Sequence, residues 1–372
     1  MKIMVTGAHF TPAVATIEEL KKIGGSEVVY VGRSTTLEGD RTLSVESKVL
    51  PSLGVKFIPI IAGRLQRSLT IFTVFSLLKI PIGFLQALFI VLLERPDVIL
   101  SFGGYVAVPI VIAGWFFSVP VIIHEQGLVV GLANRISSVF ADKIAVSFKN
   151  SDFKGDGVIL TGNPIRSEIL EKRKGVKLKH PEGVGPGKLP VVLIMGGNQG
   201  SHVINLAVEQ CLEKLLKVAE VVHQTGDSKY KDYERLEELG RLGVLGKRYG
   251  VKKWIGENYG DALQEADLVV SRAGINTLTE LALLGKPALL VPISNSEQNK
   301  NARYFESLGL AKILPQSKLS AEALFENIVV MLKNLDKLKQ NAKEAEKIIV
   351  PYAAKRLALE TMLLAKNPGV HY

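Results

Sequence analysis

The sequence predicts an α/β protein with two parallel β-sheets, one in each half of the chain. Short runs rich in β-branched residues alternate with longer helical patterns, which is typical of parallel sheets built from βαβ units. A stretch rich in Lys, Gly and Pro, residues 165–190, separates two such series and predicts a domain boundary. A length of 372 residues also fits two domains better than one core.

Seven strands are predicted in the first half. A first helix should start near Pro12, because proline is tolerated in the first turn of a helix. The predicted strands are Lys2–Thr6, Val28–Gly32, Phe57–Ile60, Val98–Ser101, Val119–His124, Lys143–Val146 and Val158–Thr161.

Five strands are predicted in the second half, with helical patterns between them. They are Val191–Met195, Glu220–Gln224, Val251–Ile255, Leu268–Ser271 and Ala288–Pro292. The last helical region, 321–366, is interrupted near Val350 and Pro351, which lets the terminal segment turn back toward the first domain. We therefore expect a first domain of residues 1–165 with a C-terminal helix at 351–372 packed on it, and a second domain of residues 166–350.

Composition narrows the function classes. The net charge of +10 and the pI of about 9.4 describe a surface that attracts phosphates, nucleic acid or anionic lipid. No nucleic-acid-binding signature is present, so we expect no nucleic acid partner. The single cysteine, Cys211, excludes an intrachain disulfide framework and suits a reducing cytosol. The N-terminal segment, a strand running into a loop, predicts no secretory signal.

One apolar stretch, Leu69–Leu93, has the length of a bilayer span. Lys79 lies in its middle and Pro81 beside it, where a charge is costly and a proline is expected to interrupt the helix. Strands predicted on both sides of the stretch would belong to one sheet, so both flanks would lie on the same side of a membrane. We favour docking in the membrane interface, with Trp115 and Phe116 as a nearby aromatic anchor. A buried core segment, an oligomer contact and a true span are the alternatives.

Glycine-rich loops follow several strands, and ligands of open parallel sheets bind at the carboxyl ends of strands. Gly196–Ser201 joins a strand to a helix, so backbone N–H groups and the helix N-terminus can hold a phosphate, although a plain tight turn has the same pattern. In Ser271–Glu280, a second such loop opens a helix that carries Glu280, whose carboxylate can accept two hydrogen bonds from a ribose diol. A solvated helical glutamate is the alternative for that residue.

Histidines also follow predicted strands. His9 lies in the loop after the first strand, and an imidazole can remove a proton from an attacking hydroxyl near neutral pH. His124, with Glu125 and Gln126, and His223, with Gln224, end two other strands. A single histidine is more often structural than catalytic. Neither the spacing of the histidines nor any acidic motif indicates a metal site, so we expect no metal and no cofactor.

At these residues the sequence resembles the MurG family, the UDP-N-acetylglucosamine transferases that complete the lipid-linked peptidoglycan precursor. The ordered set of motifs covers nearly the whole chain and carries the resemblance. It consists of Phe102-Gly103-Gly104-Tyr105, His124-Glu125-Gln126, Thr161-Gly162-Asn163-Pro164-Ile165-Arg166, Gly196-Gly197-Asn198-Gln199-Gly200, His223-Gln224-Thr225-Gly226 and Arg272-Ala273-Gly274 through Glu280. The resemblance implies a GT-B fold, in which two Rossmann-like domains face each other across a cleft.

The resemblance also implies roles for individual residues. His9 is the implied catalytic base. The implied donor-binding residues are Arg166, Asn198, Gln199, Gly200, Ser201, Ile255, Glu280 and Gln298. The implied acceptor-binding residues are Thr6, Gly7, Ala8, His9, Gly104, Tyr105, His124 and Glu125. The implied membrane patch comprises Ile71, Phe72, Phe75, Trp115 and Phe116.

The implied reaction is an inverting transfer of N-acetylglucosamine from UDP-N-acetylglucosamine to the C4 hydroxyl of the muramoyl unit of an undecaprenyl-diphosphate-linked muramoyl-pentapeptide. The implied location is peripheral, on an anionic membrane surface at the cytoplasmic face of the inner membrane. Two alternatives stay open. One is a GT-B enzyme that uses another glycolipid acceptor or UDP-sugar. The other is a noncatalytic UDP-binding membrane scaffold, because the first loop, Val5-Thr6-Gly7-Ala8-His9, has fewer glycines than the family's G-G-T-G-G-H.

Overall fold

The computed structural model describes residues 1–34, 44–61, 71–172, 189–197, 199–227, 229–242 and 246–367. The chain divides into two compact units. Unit 1 comprises Met1–Arg166 and Val350–Tyr372, and unit 2 comprises Ser167–Ile349. Each unit contains one parallel sheet with helices on both faces, so the prediction of two parallel α/β sheets is confirmed.

Unit 1 is built on a seven-stranded sheet of order β3-β2-β1-β4-β5-β6-β7. Its strands are β1 (Lys2–Thr6), β2 (Glu27–Gly32), β3 (Lys56–Pro59), β4 (Val98–Ser101), β5 (Val121–Glu125), β6 (Lys143–Val146) and β7 (Val158–Leu160). Its helices are α1 (Phe10–Ile23), α2 (Val45–Ser52), α3 (Ile71–Glu94), α4 (Ala107–Phe116), α5 (Leu132–Ser137) and, at the end of the chain, α14 (Ala353–Lys366). The strand order reverses between β1 and β4, which makes their carboxyl ends the topological switch point of this sheet.

The core of unit 1 has two layers because alternate residues of a strand point to opposite faces of the sheet. Ile3 and Val5 pack in the layer that includes α1 and α14, whereas Met4 and Ile99 pack with α3 and α4. Helix α14 contributes Leu357 and other buried side chains to the first layer. The C-terminal helix is therefore part of the unit 1 core.

Unit 2 has a six-stranded sheet of order β10-β9-β8-β11-β12-β13. Its strands are β8 (Val191–Met195), β9 (Glu220–Gln224), β10 (Tyr249–Lys252), β11 (Leu268–Ser271), β12 (Ala288–Leu290) and β13 (Ala311–Ile313). Its helices are α6 (Ser167–Lys172), α7 (His202–Leu215), α8 (Asp232–Leu242), α9 (Tyr259–Glu265), α10 (Ile275–Leu283), α11 (Gln298–Ser307), α12 (Ala321–Lys333) and α13 (Leu335–Ala345). The switch point of this sheet lies between β8 and β11.

The structure corrects three predictions. Helix α3 continues through Pro81 instead of breaking there, at the cost of the hydrogen bond that the missing proline N–H would have made. Strand β10 ends at Lys252, so Ile255 lies in the following loop and not in the strand. Strand β13 was not predicted, because its three residues include the exposed Lys312 and give no apolar run.

Helix α3 has 24 residues. Among the residues that the structure describes, no helix combines the length and the hydropathy required to cross a bilayer.

Candidate active site

The switch point of unit 1 is formed by two loops that pack directly on each other. The Ala8 N–H donates a hydrogen bond to the Gly103 carbonyl at 2.9 Å, and the Tyr30 hydroxyl donates to the Gly7 carbonyl at 2.8 Å. Gly7 has a φ of +140°, and a Cβ at this position would come within 2.9 Å of the Phe102 backbone. The loops after β1 and β4 therefore form one fixed surface, to which Gly104 and the half-buried Tyr105 also belong.

His9 lies on this surface. It is the N-cap residue of α1, directly after the loop, and its side chain is exposed. Thr6, by contrast, is buried at the end of β1, where its hydroxyl donates to the Val31 carbonyl at 2.9 Å. His9 is thus exposed at the start of α1, whereas Thr6 is buried and bonded to β2.

His124 is fully buried at the end of β5. Its Nε2 lies 3.1 Å from the Gly162 carbonyl, which can only accept, so the proton is assigned to Nε2. Burial lowers the pKa of this imidazole to about 4; the Gly162 carbonyl opposes the shift and the charge of His9 adds to it. His124 is therefore neutral near pH 7 and holds the segment around Gly162.

Glu125 is also buried, and its carboxylate organises the loop that follows β5. One oxygen accepts from the Gly127 N–H at 2.9 Å, and the other accepts from the Gly131 N–H at 3.2 Å and the Asn134 amide at 2.9 Å. Burial raises the pKa of this carboxyl, and the three donors oppose that shift. Both His124 and Glu125 therefore make hydrogen bonds within unit 1.

The loop between β8 and α7 occupies the switch point of unit 2. Gly200 donates a backbone hydrogen bond to the Gly197 carbonyl at 3.0 Å, which closes the turn. Ser201 is the N-cap residue of the 14-residue helix α7, and its hydroxyl is buried without a hydrogen-bond partner among the described residues. An orphaned buried hydroxyl at a helix N-terminus is placed to donate to an anion. Gln199 is exposed on the loop, and Asn198 lies outside the described residues.

Two glycines of this loop provide a matched test of its geometry. Gly197 and Gly200 both have positive φ, +86° and +76°, so alanine strains either position. A Cβ on Gly197 meets nothing within 4 Å, whereas a Cβ on Gly200 would fall onto the Thr225 carbonyl oxygen. We expect Gly200→Ala to lower the free energy of unfolding by about 3 kcal/mol or more and Gly197→Ala by about 1 kcal/mol. Urea unfolding of the two variants measures the difference, and equal values would contradict the tight packing of Gly200.

Gln224 connects this loop to the one that contains Ile255. Its amide nitrogen donates to the Gly197 carbonyl at 3.3 Å, and its amide oxygen accepts from the Ile255 N–H at 3.1 Å. His223, the neighbouring residue, is fully buried between the Tyr249 hydroxyl at 3.0 Å and the Asn205 amide oxygen at 3.1 Å. Burial lowers its pKa to about 3, so His223 is a neutral structural residue.

Glu280 lies on α10, the helix that follows β11, and is only 4% exposed. The hydroxyl of Tyr259, the first residue of α9, donates to its Oε2 at 2.9 Å. Tyr259 could not be found from the sequence, because no motif signals a phenol that meets a carboxylate 21 residues away. A buried carboxylate at the switch point is suited to accept hydrogen bonds from a polar ligand.

Gln298 begins α11, and its side chain joins two loops. Its amide oxygen accepts from the Ala273 N–H at 3.2 Å and from the Ile293 N–H at 3.1 Å. The amide nitrogen makes no hydrogen bond with a described residue and is available to a ligand.

Arg166 ends the first segment of unit 1 and is half-buried. Within the described ranges, no three His, Cys, Asp or Glu side chains form a group suited to a metal ion.

An apolar face covers one side of unit 1. We call it the α3–α4 face and define it by Leu85, Phe89, Leu93, Trp115 and Phe116, which are 57–77% exposed. Residues of α3 on the opposite side, including Ala87 and Val91, pack into the core. Ile71, Phe72 and Phe75 lie in the first turns of α3, but their side chains are outside the described part of the structure.

Two family models match the chain. The glycosyltransferase family 28 N-terminal domain matches residues 6–146, and the glycosyltransferase family 28 C-terminal domain matches residues 191–357. A Clostridium botulinum protein named UDP-N-acetylglucosamine--N-acetylmuramyl-(pentapeptide) pyrophosphoryl-undecaprenol N-acetylglucosamine transferase is 35% identical over 359 residues, which cover 91% of this chain and 95% of that protein. A Bacillus cytotoxicus protein of the same name is 34% identical over 368 residues, with coverage of 96% and 97%.

Solved structures also match this chain over nearly its whole length. The crystal structure of MurG from Acinetobacter baumannii matches with a TM-score of 0.72 at 25% identity, covering 97% of this chain and 99% of that one. The calicheamicin glycosyltransferase CalG4 matches with a TM-score of 0.69 at 13% identity, covering 100% and 99%, which is a likeness of fold alone. These matches confirm the predicted GT-B fold class.

Proposed function

The chain belongs to the MurG family within glycosyltransferase family 28, and we propose that it transfers N-acetylglucosamine from UDP-N-acetylglucosamine to N-acetylmuramyl-(pentapeptide) pyrophosphoryl-undecaprenol. The names of its relatives state this activity. One structural observation supports it most directly. Strands β8 and β11 pair in the middle of the unit 2 sheet, with Met195 opposite Ser271, so the loop 196–201 and the start of α10 lie side by side.

Unit 2 is the proposed donor-binding unit. The diphosphate lies against Gln199, Gly200 and Ser201, where the first N–H groups of α7 and the Ser201 hydroxyl donate to it. Asn198 belongs to the same proposed loop. Arg166, the last residue of the first segment of unit 1, is proposed to add a cation. Because these donors are fixed before the reaction, they stabilise the negative charge that develops on the leaving diphosphate.

The nucleoside and the sugar have separate proposed contacts in unit 2. Glu280 accepts hydrogen bonds from the two ribose hydroxyls. Backbone atoms at Ile255 read the uracil edge; its N–H is already bonded to Gln224, which fixes the position of that loop. The amide nitrogen of Gln298 donates to the donor sugar.

Unit 1 is the proposed acceptor-binding unit, with its contacts at Gly7, Ala8, Gly104 and Tyr105. The acceptor hydroxyl oxygen attacks the anomeric carbon, a new C–O bond forms, and the bond from that carbon to the diphosphate oxygen breaks. His9 takes the hydroxyl proton, and the electron pair of the broken bond leaves with UDP. Attack from the face opposite the leaving group inverts the anomeric configuration.

Product formation tests this proposal. Purified protein is incubated with the lipid-linked N-acetylmuramyl-pentapeptide and radiolabelled UDP-N-acetylglucosamine, UDP-glucose or UDP-N-acetylgalactosamine. We expect label in the lipid-linked disaccharide with UDP-N-acetylglucosamine only. Transfer from a different UDP-sugar alone would identify another transferase, and UDP binding without any transfer would identify a noncatalytic scaffold.

The α3–α4 face is the proposed membrane contact, which would place the protein peripherally on the cytoplasmic face of the membrane that carries its acceptor. Large exposed apolar side chains are costly in water, and insertion among lipid acyl chains removes them from it. The net charge of +10 favours an anionic bilayer surface. The acceptor named for the relatives has an undecaprenol tail, which resides in a bilayer.

Substitution of Leu85 by Glu tests the membrane contact. We expect Leu85→Glu to lower binding to vesicles that contain anionic lipid by about tenfold or more, because it exchanges an apolar contact for a charge in the interface. Flotation with the vesicles measures the bound fraction. Leu239→Glu is the matched control, since Leu239 is a comparably exposed leucine on α8 of unit 2. Equal binding by the two variants would contradict docking through the α3–α4 face.

A further inference from the structure

The contact between Tyr259 and Glu280 joins two segments that the proposed function assigns to different parts of the nucleotide. The Tyr259 hydroxyl donates to Glu280 Oε2 at 2.9 Å. Tyr259 starts α9 directly after the short turn Gly256–Asn258, which follows Ile255. Glu280 lies on α10, beyond strand β11. The phenol therefore links the proposed uracil-binding turn to the proposed ribose-binding carboxylate.

The segment that leads to Tyr259 is also bonded, through Gln224, to the loop at Gly197. Gln224 accepts from the Ile255 N–H at 3.1 Å and donates to the Gly197 carbonyl at 3.3 Å. A connected path thus runs from the loop at Gly197 through Gln224 and the Ile255 turn to Tyr259 and Glu280. The start of the loop that leads to Tyr259 is therefore anchored independently of the bond to Glu280.

A glutamate side chain has three rotatable bonds, and its carboxylate plane must have one orientation to receive two neighbouring hydroxyls. A tyrosine hydroxyl with only two side-chain torsions behind it is a rigid donor, and its bond to a carboxylate is charge-assisted. Because Glu280 is buried, water cannot replace this donor cheaply. Fixing Oε2 sets the carboxylate plane before the nucleotide arrives. Binding then does not have to restrict the Glu280 side chain, which lowers the entropic cost of binding.

We propose that Tyr259 is a positioning residue: it orients Glu280 so that the site distinguishes a ribonucleotide from its 2′-deoxy counterpart. This inference rests on the proposed function, in which Glu280 binds the ribose diol. Without the phenol, the carboxylate loses the donor that orients Oε2, and a ligand with two ribose hydroxyls loses more affinity than a ligand with only one.

Nucleotide binding to a Tyr259→Phe variant tests the proposal. Calorimetric titration gives Kd values for UDP and for 2′-deoxy-UDP with wild-type and variant protein. We expect the variant to bind UDP about tenfold more weakly and to bind 2′-deoxy-UDP with little change, so that the preference for UDP largely disappears. Tyr233→Phe is the matched control, because it removes another tyrosine–glutamate hydrogen bond, the one to Glu237 at 2.8 Å on α8. The control should keep the wild-type preference.

The possible results distinguish a failure of the proposed Tyr259 role from a failure of the proposed function. A Tyr259→Phe protein that kept the wild-type preference for UDP would overturn the positioning role. Equal weakening of both nucleotides would also overturn it, since such a loss is general damage to the site. If wild-type protein bound no UDP at all, the proposed function would fail before the role of Tyr259 could be considered.

Discussion

Replacing Glu280 with Gln should weaken UDP binding by about a hundredfold. The carboxylate offers two anionic oxygens to the ribose hydroxyls and to Tyr259, whereas an amide offers one neutral oxygen and a pair of N–H donors. A hydrogen bond to a charged group contributes about 1.5–3 kcal/mol, so the loss of one or two such bonds at a buried position accounts for this factor. The side chain is 4% exposed, and water offers little compensation. Calorimetric titration with UDP measures the change.

The control for this substitution is Glu326→Gln on α12, where the glutamate is exposed. It removes the same charge from the same unit and should leave the Kd for UDP unchanged. Retention of near wild-type affinity by Glu280→Gln would show that the ribose is bound elsewhere. The assignment of unit 2 as the donor-binding unit would then lose its main support.

The central strands could be predicted from the sequence because they are buried on both faces. Strands β1, β4, β8 and β11 match their predicted ranges residue for residue. A strand covered by helices on both sides reads as a continuous apolar run with sharp ends. The edges of the unit 2 sheet were less predictable, since β10 and β13 each pack on one neighbour only and contain exposed or half-buried polar residues.

The motifs placed the candidate site at strand ends, but they did not distinguish exposed side chains from buried ones. His124 and Glu125 follow the same pattern as His9, yet they are buried and bonded to the protein backbone. Burial depends on which loop packs above a strand end, and that loop is remote in sequence. Gly162, the partner of His124, lies 38 residues away. The same limit applies to Tyr259, whose contact with Glu280 is visible only once α9 and α10 are placed together.

Helix α3 illustrates a different limit. Its composition predicted an apolar segment with a break at Pro81, and the structure shows one helix of 24 residues with a buried side and an exposed apolar side. Proline removes one hydrogen bond from a helix but still permits helical φ, so packing along the rest of the helix can outweigh that loss. Leu85 and Phe89, on the exposed side, belong to the proposed membrane contact.

The second large effect is expected at His9. His9→Ala should lower kcat about a hundredfold or more, because general base catalysis contributes about 10²–10⁴ to a rate. The Kd for UDP should stay unchanged, since His9 is not among the proposed donor contacts. The rate of transfer to the lipid-linked acceptor, measured at saturating donor, tests both expectations.

Rescue by added imidazole distinguishes a base from a residue that only shapes the loop. His9→Ala leaves space for a free imidazole at the N-terminus of α1, so a base role predicts that imidazole restores part of kcat in proportion to its unprotonated fraction. Of the other histidines in the described residues, His124 and His223 are buried with lowered pKa values, and His202 Nδ1 lies 2.8 Å from Asp232. His9 alone among these four is exposed at the unit 1 switch point. Full turnover by His9→Ala would therefore leave the proton with a non-histidine group or with water.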